Sequence, residues 1–359
     1  MEALTPLRKR IDEIDEAILR LLNERAGVVL EVGRVKHRTN AAVHVPEREA
    51  AILQRLTGAN PGPFPNDAVR AVFKEIISYC LNMEGPIRVA YLGPEATYTH
   101  LAARRYFGSG CQFVPCETIA DVVQAVAKGD AIYGMVPVEN STQGSVALTL
   151  DEMAVSDLTV CGEVVERIHH CLMANGTDMA GITEVFSHPQ SLAQCRHWLH
   201  THLPGTVLTE VASNARAAQL AARKRGTAAV AARLAAEVYG LDVLVENIED
   251  NARNRTRFWV VSRESHKASG NDKTSLLISV KHEPGSLYTM LAAFERNGVN
   301  LIKIESRPSK MEAWEYLFFI DVLGHPDQAP LRAALEEVRA SCLWVRVLGS
   351  YPVPREPLA

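Results

Sequence analysis

The apolar residues Leu7, Ile11, Ile14, Ile18, Leu21 and Leu22 recur at three- and four-residue spacing, and no proline interrupts residues 7–38. That period predicts an amphipathic helix over residues 4 to about 38, roughly 50 Å long at about 1.5 Å per residue. So long a helix in so short a segment needs cover, which helical patterns at 47–57 and 66–83 and a second chain are expected to supply. Pro61-Gly62-Pro63-Phe64-Pro65 reads like a domain linker, but the helical pattern resumes after it, so it is expected to be a loop inside an all-helical unit.

From Ile87 the period shortens. IRVAYL, IYGMVPV, EVFS, AAVAA and RFWVV are strand-like runs, separated by helix-like stretches such as AARRYF, IADVVQAVAKG and NARAAQLAARKRG. This alternation predicts an α/β domain. Residues 264–273, ESHKASGNDK, are polar and read as a linker. After them TSLLISV, SLYTMLAAFERNG, NLIKIESRP, AWEYLFFIDV, LRAALEEVRASC and LWVRVLG give the order βαββαβ, a ferredoxin-like arrangement.

A length of 359 residues fits two or three globular units. The formal charge of -4 lacks the basic excess of a nucleic-acid binder, so basic residues must be judged as local sites. No apolar run approaches the roughly 18 residues of a membrane span. The first residues place acids inside an amphipathic pattern rather than an uninterrupted apolar stretch after a basic one, which points to a cytoplasmic protein without a signal peptide. Seven cysteines without CxxC or zinc spacing suggest reduced, mostly buried thiols and no metal site.

Arg25 and Lys36 are 11 residues apart, which sets them within roughly 20° of each other on one helix face. Arg8, 17 residues before Arg25, lies about 25 Å away along the axis and reaches that pocket only from an antiparallel partner. For any one of these cations an ordinary solvated charge is the simpler reading. LRKRIDEID, NER, EVGRVKH, PERE and FKEIISYCLNME nevertheless resemble the all-helical chorismate mutase module, an intertwined dimer of three-helix chains. The resemblance implies that Arg25 and the partner's Arg8 bind the two carboxylates of chorismate, that Lys36 donates to its ether oxygen, and that Arg48, Glu49 and Cys80 line the pocket. Glu84 stands where some members have Gln and donates to the ether oxygen only when protonated, so mutase activity is expected to fall as pH rises through its titration. Val45 and Cys80 depart from an acidic residue and a serine found in relatives.

Four polar motifs follow strand-like runs: residues 93–100 (GPEATYTH), 137–144 (PVENSTQG), 187–190 (SHPQ) and 254–258 (NRTRF). Loops beyond the carboxyl ends of strands converge on the ligand crevice of an open α/β sheet. Singly, each also reads as a capped turn. Together they resemble prephenate dehydratase, a fold of two α/β lobes similar to type II periplasmic binding proteins. The resemblance implies Thr256 as the key hydroxyl, a hydrogen-bond donor or proton relay, and Thr97, Asn140, Ser141, Thr142, Ser187, Gln190 and Gln194 as orienting groups. Glu139 is the motif carboxyl that would supply a proton if desolvated. Arg257 is read either as a carboxylate anchor or as a structural ion-pair partner. Ala96 replaces the glycine usual in the first motif.

The last segment resembles an ACT domain. Gly285, Ser286, Leu287 and Tyr288 would open its first helix, where free N–H groups suit a carboxylate, and Glu305, Ser306, Arg307 and Pro308 match the second effector motif. The implied ligand is L-phenylalanine, bound between two such domains as a feedback inhibitor. The whole chain thus resembles the bifunctional chorismate mutase/prephenate dehydratase family: a mutase over 1–84, a dehydratase over 87–263 and a regulatory domain over 274–351, needing no cofactor. Two dimerising modules allow a homodimer or a tetramer. Two other readings remain at this level: a dehydratase whose helices only dimerise, and a two-lobed amino-acid sensor.

Overall fold

The computed structural model describes residues 4–39, 46–176, 178–265, 267–309 and 316–354. They form two compact units, residues 1–87 with 107–112, and residues 88–106 with 113–359.

The first unit contains α1 (Thr5–Thr39), α2 (Pro46–Gly58) and α3 (Asn66–Glu84). The segment 59–65 is the loop expected, tied across its neck by Asn60 Nδ2, which donates to Phe64 O at 2.7 Å and to Asn66 Oδ1 at 2.8 Å. Within one chain the apolar stripe of α1 is uncovered: Leu7, Ile11, Ile14 and Ile18 are 61%, 57%, 44% and 49% exposed. The residues 107–112 pack on α3, where Gly110 N donates to Ser78 Oγ at 3.0 Å.

The second unit runs β1 (Arg88–Leu92), α4 (Tyr98–Phe107), β2 (Gln112–Cys116), α5 (Ile119–Lys128), β3 (Tyr133–Asn140), β4 (Gly144–Ser145), α6 (Ala147–Val155) and β5 (Thr159–Arg167). It crosses to β6 (Cys171–Ala174), β7 (Glu184–Ser187), α7 (Pro189–Gln194), α8 (Arg196–His202), β8 (Val207–Glu210), α9 (Asn214–Arg223), β9 (Thr227–Ala231), α10 (Arg233–Tyr239) and β10 (Asp242–Val245), then returns through β11 (Arg255–Ser262). Sheet orders β2-β1-β3-β11-β5 and β10-β6-β9-β7-β8 give the two lobes. β12 (Asp272–Ser279), α11 (Ser286–Arg296), β13 (Leu301–Pro308), β14 (Tyr316–Leu323), α12 (Ala329–Ser341) and β15 (Trp344–Pro352) complete the expected βαββαβ order as an antiparallel sheet β13-β14-β12-β15.

Every residue of β12 is buried, because this central strand is covered on both faces of the sheet. Leu276 and Ile278 pack with Met290, Phe294 and Leu335 of the two helices. Leu277 points the other way, into a core shared with Val136, Val160 and Trp259 of the first lobe. The fit is close at Gly349, where a methyl group would fall 1.9 Å from the Val160 carbonyl oxygen. The polar stretch 264–273 is therefore not all linker. Lys273, read as its end, is 4% exposed in β12, and its Nζ lies 2.6 Å from Glu163 of β5.

Candidate active sites

In the helical unit α1 and α3 meet where α1 has no side chain. Gly33 faces Glu84, whose Cα would sit 3.1 Å from a methyl group there. One turn further along α1, Lys36 Nζ reaches Glu84 Oε2 at 2.7 Å. The two groups expected at the ether oxygen are thus brought together, with Glu84 accepting from Lys36 rather than standing as the protonated donor expected of it. Arg25, two to three turns earlier, is half-buried, and its Nη1 is buried without a hydrogen-bond partner. A buried guanidinium N–H left open is a place for an anion, since an unpaired buried donor is costly. Cys80 is buried on α3, Glu49 is half-buried on α2, and Arg8 and Arg48 are exposed. Val45 lies outside the described residues.

In the second unit a cleft of about 400 Å³ is lined by Thr97, Asn140, Gln190, Gln194 and Thr256 among the expected residues. Sequence reasoning passed over Tyr98, His170 and Asn214 and read His188 as a turn residue; all four line it too. His170 ends the crossing from β5 to β6, and the strand-end rule that selected the other motifs applies equally to it. Its Nδ1 is 2.8 Å from the Tyr98 hydroxyl and its Nε2 is 2.8 Å from Gln194 Oε1, so it holds the amide of a neighbouring lining residue. Burial lowers its pKa below the ordinary histidine range.

Thr256 pairs with Asn140 across β11 and β3. Its Oγ1 accepts from Asn140 Nδ2 at 2.9 Å, which leaves the hydroxyl hydrogen for an oxygen in the cleft. Three expected contacts act instead from outside the lining. Ser141 Oγ accepts from Arg255 N at 2.9 Å, Thr142 Oγ1 donates to Asn254 at 3.0 Å, and Ser187 Oγ donates to Val230 O at 2.6 Å. Ala96 adopts a left-handed conformation with φ +66°, the region that favours glycine, and its amide donates to His100 Nδ1 at 3.1 Å.

Glu139 and Arg257 do not face the cleft, because side chains alternate along a strand and both neighbour a residue that does. Arg257 contacts Glu139 at 2.5 Å, Glu163 at 2.7 Å and Asp321 of β14 at 2.6 Å. Lys303 of β13 lies 3.0 Å from Glu139. Burial alone would raise the Glu139 carboxyl, but Lys303 and Arg257 hold it below its usual range. This corrects Glu139 as a proton source and resolves Arg257 as an ion-pair partner.

The second effector motif is split by the same alternation. Ser145 Oγ donates to Glu305 at 3.0 Å, and Arg307 Nε donates to Asp151 at 3.0 Å, so both acidic and basic members face the first lobe. Ser306 and Pro308 lie on the opposite, exposed face with Ile302 and Ile304. Gly285 caps α11 with φ +87°, and Tyr288 beyond it is 75% exposed.

Family models match in the same order: chorismate mutase type II over residues 7–85, prephenate dehydratase over 89–266 and ACT domain over 274–340. A bifunctional chorismate mutase/prephenate dehydratase of Aquifex aeolicus (strain VF5) is 46% identical over 356 residues, 98% of each chain. The chain belongs to this family. It is an isomerase and a lyase, with chorismate and prephenate as substrates. Among solved structures, a prephenate dehydratase from Arthrobacter aurescens in complex with L-Phe is 34% identical with TM-score 0.69, covering 74% of this chain and 90% of that one. GqqA, described as a quorum quenching acylase, has the same TM-score, 0.69, at 32% identity, covering 74% and 98%. A shared fold thus carries more than one described activity, and the roles of residues rest on the sites themselves.

Proposed function

We propose that this enzyme makes phenylpyruvate for L-phenylalanine synthesis and that L-phenylalanine, bound at the C-terminal module, inhibits it. The helical unit rearranges chorismate. A unimolecular rearrangement needs a clamp that holds the reactive conformer and stabilises charge on the ether oxygen. Arg25, with its open Nη1, and Arg8 from a second chain bind the carboxylates; Lys36, steered by Glu84, serves the ether oxygen, and Arg48, Glu49 and Cys80 line the remaining wall. The uncovered stripe of α1 supports the homodimer this requires.

In the cleft the ring carboxylate of prephenate leaves as carbon dioxide. Its bonding electrons enter the ring as the hydroxyl departs, and with one proton that hydroxyl leaves as water. The observation that carries the assignment is the polarity of Thr256: it accepts from Asn140 and so presents its hydrogen to the departing oxygen. Thr97, Gln190 and Gln194 orient the dianion. Gly285 to Tyr288 and the exposed Ser306 and Pro308 form the effector surface. The L-Phe named in the Arthrobacter structure supports that ligand.

Calorimetric titration with L-Phe, alongside phenylpyruvate formation from chorismate, tests the reading. Saturable binding and inhibition are expected, both weakened by Gly285→Val, since a β-branched residue opposes a positive φ. Absence of saturable binding would remove the sensor.

A further inference from the structure

We infer that Asn254, which does not line the cleft, is a positioning residue that fixes the direction of the Thr256 hydroxyl. The inference rests on the reading of Thr256 as donor to the leaving oxygen and concerns what makes it one.

Thr142 N and Gln143 N lie 3.0 and 3.2 Å from Asn140 Oδ1. Backbone N–H groups only donate, so that atom of Asn140 is its carbonyl oxygen and the amide nitrogen points the other way. Asn140 Nδ2 is 2.9 Å from Asn254 Oδ1 and 2.9 Å from Thr256 Oγ1. Its two hydrogens serve those two oxygens. Thr256 is thereby an acceptor toward Asn140, and its own hydrogen is left for the cleft.

The state depends on Asn254 as the second acceptor. Asn254 is 3% exposed, and its Oδ1 receives a second donor, the Thr142 hydroxyl, at 3.0 Å. Its own Nδ2 is buried without a partner. The fold leaves a donor unsatisfied here in order to present a doubly accepting oxygen, since turning the amide over would set nitrogen against nitrogen. Without that oxygen, one Asn140 hydrogen has only the Arg255 carbonyl, 3.3 Å away, and the amide can swing toward it. Thr256 then loses its fixed donor, and its hydrogen no longer has one direction.

The test is a double-mutant cycle on the full-length enzyme with prephenate as substrate, using Asn254→Ala, Thr256→Val and the double variant. The expected result is a drop in kcat of roughly 10- to 100-fold for Asn254→Ala with KM changed less than about threefold, and less than about a twofold further drop when it is added to Thr256→Val. Thermal unfolding of each variant checks the fold. Asn254→Ser, too short to reach Asn140, gives a second truncation expected to behave as Asn254→Ala. Multiplicative losses, or a rise in KM with kcat intact, would overturn the positioning role while leaving Thr256 as the donor. Wild-type turnover by Thr256→Val would overturn the donor role, and this inference with it.

Discussion

Arg257 Nη2 lies 2.6 Å from Asp321 Oδ2, so the residue next to Thr256 in the dehydratase sheet is paired with a carboxylate of the ACT-domain sheet. Around this contact three cations, Arg257, Lys273 and Lys303, meet three carboxylates, Glu139, Glu163 and Asp321. Removing one partner of such a buried set leaves uncompensated charge. Asp321→Asn is expected to destabilise the enzyme by about 3 kcal/mol or more, seen as a lower unfolding temperature, and to blunt inhibition by L-Phe. Unchanged unfolding would mean that the cluster contributes little.

The same cluster makes a pH prediction. Burial alone would raise the Asp321 carboxyl, but Arg257 and Lys273 hold it below its usual range. A carboxyl whose folded pKa is depressed stabilises the fold above its unfolded pKa and loses that contribution as pH falls through the folded value. The contact between the dehydratase and ACT-domain sheets should therefore weaken only below about pH 4. Small-angle scattering across pH 3 to 7 checks it.

A second acid-sensitive group acts earlier. His100 stacks on Tyr91 with ring centroids 4.6 Å apart, and burial, then Arg104, lowers its pKa to about 4. The folded state thus holds His100 neutral, and stability declines as pH falls from about 6.5 to 4, by at most about 3 kcal/mol. His100→Gln should flatten that part of the stability profile. An unchanged slope would place the loss elsewhere.

Gly33 tests the mutase geometry. Gly33→Ala improves helix propensity by up to about 1 kcal/mol, yet its methyl group meets Glu84 Cα at 3.1 Å. Mutase turnover should fall roughly tenfold or more as Lys36 and Glu84 separate, while dehydratase turnover on supplied prephenate stays the same. Equal loss of both activities would point to misfolding.

Glu139→Gln separates two accounts of the proton. If the carboxylate served only the ion-pair cluster, dehydratase turnover and its pH profile would stay within a few-fold of the wild type. A collapse comparable to that of Thr256→Val would return Glu139 to the chemistry.

The helices, the α/β alternation and the βαββαβ order were legible because period and punctuation agree over long runs. Several strands were not. β5 mixes Gly162, Glu163 and Glu166 into its apolar run, since its charges meet cations rather than water. Lys273 read as linker for the same reason. Motifs located the cleft, but not which member of each motif enters it. Neighbours such as Thr256 and Arg257 point to opposite faces, and only strand register tells them apart. His170 escaped notice, and Asn254 drew no role within its motif, because they act on Gln194 and Asn140.

The most direct measurement supplies chorismate to the Thr256→Val enzyme and follows prephenate and phenylpyruvate together. Prephenate should accumulate at the wild-type mutase rate with almost no phenylpyruvate formed. Phenylpyruvate appearing at the wild-type rate would contradict the assignment of Thr256 as the donor on which the account of the cleft depends.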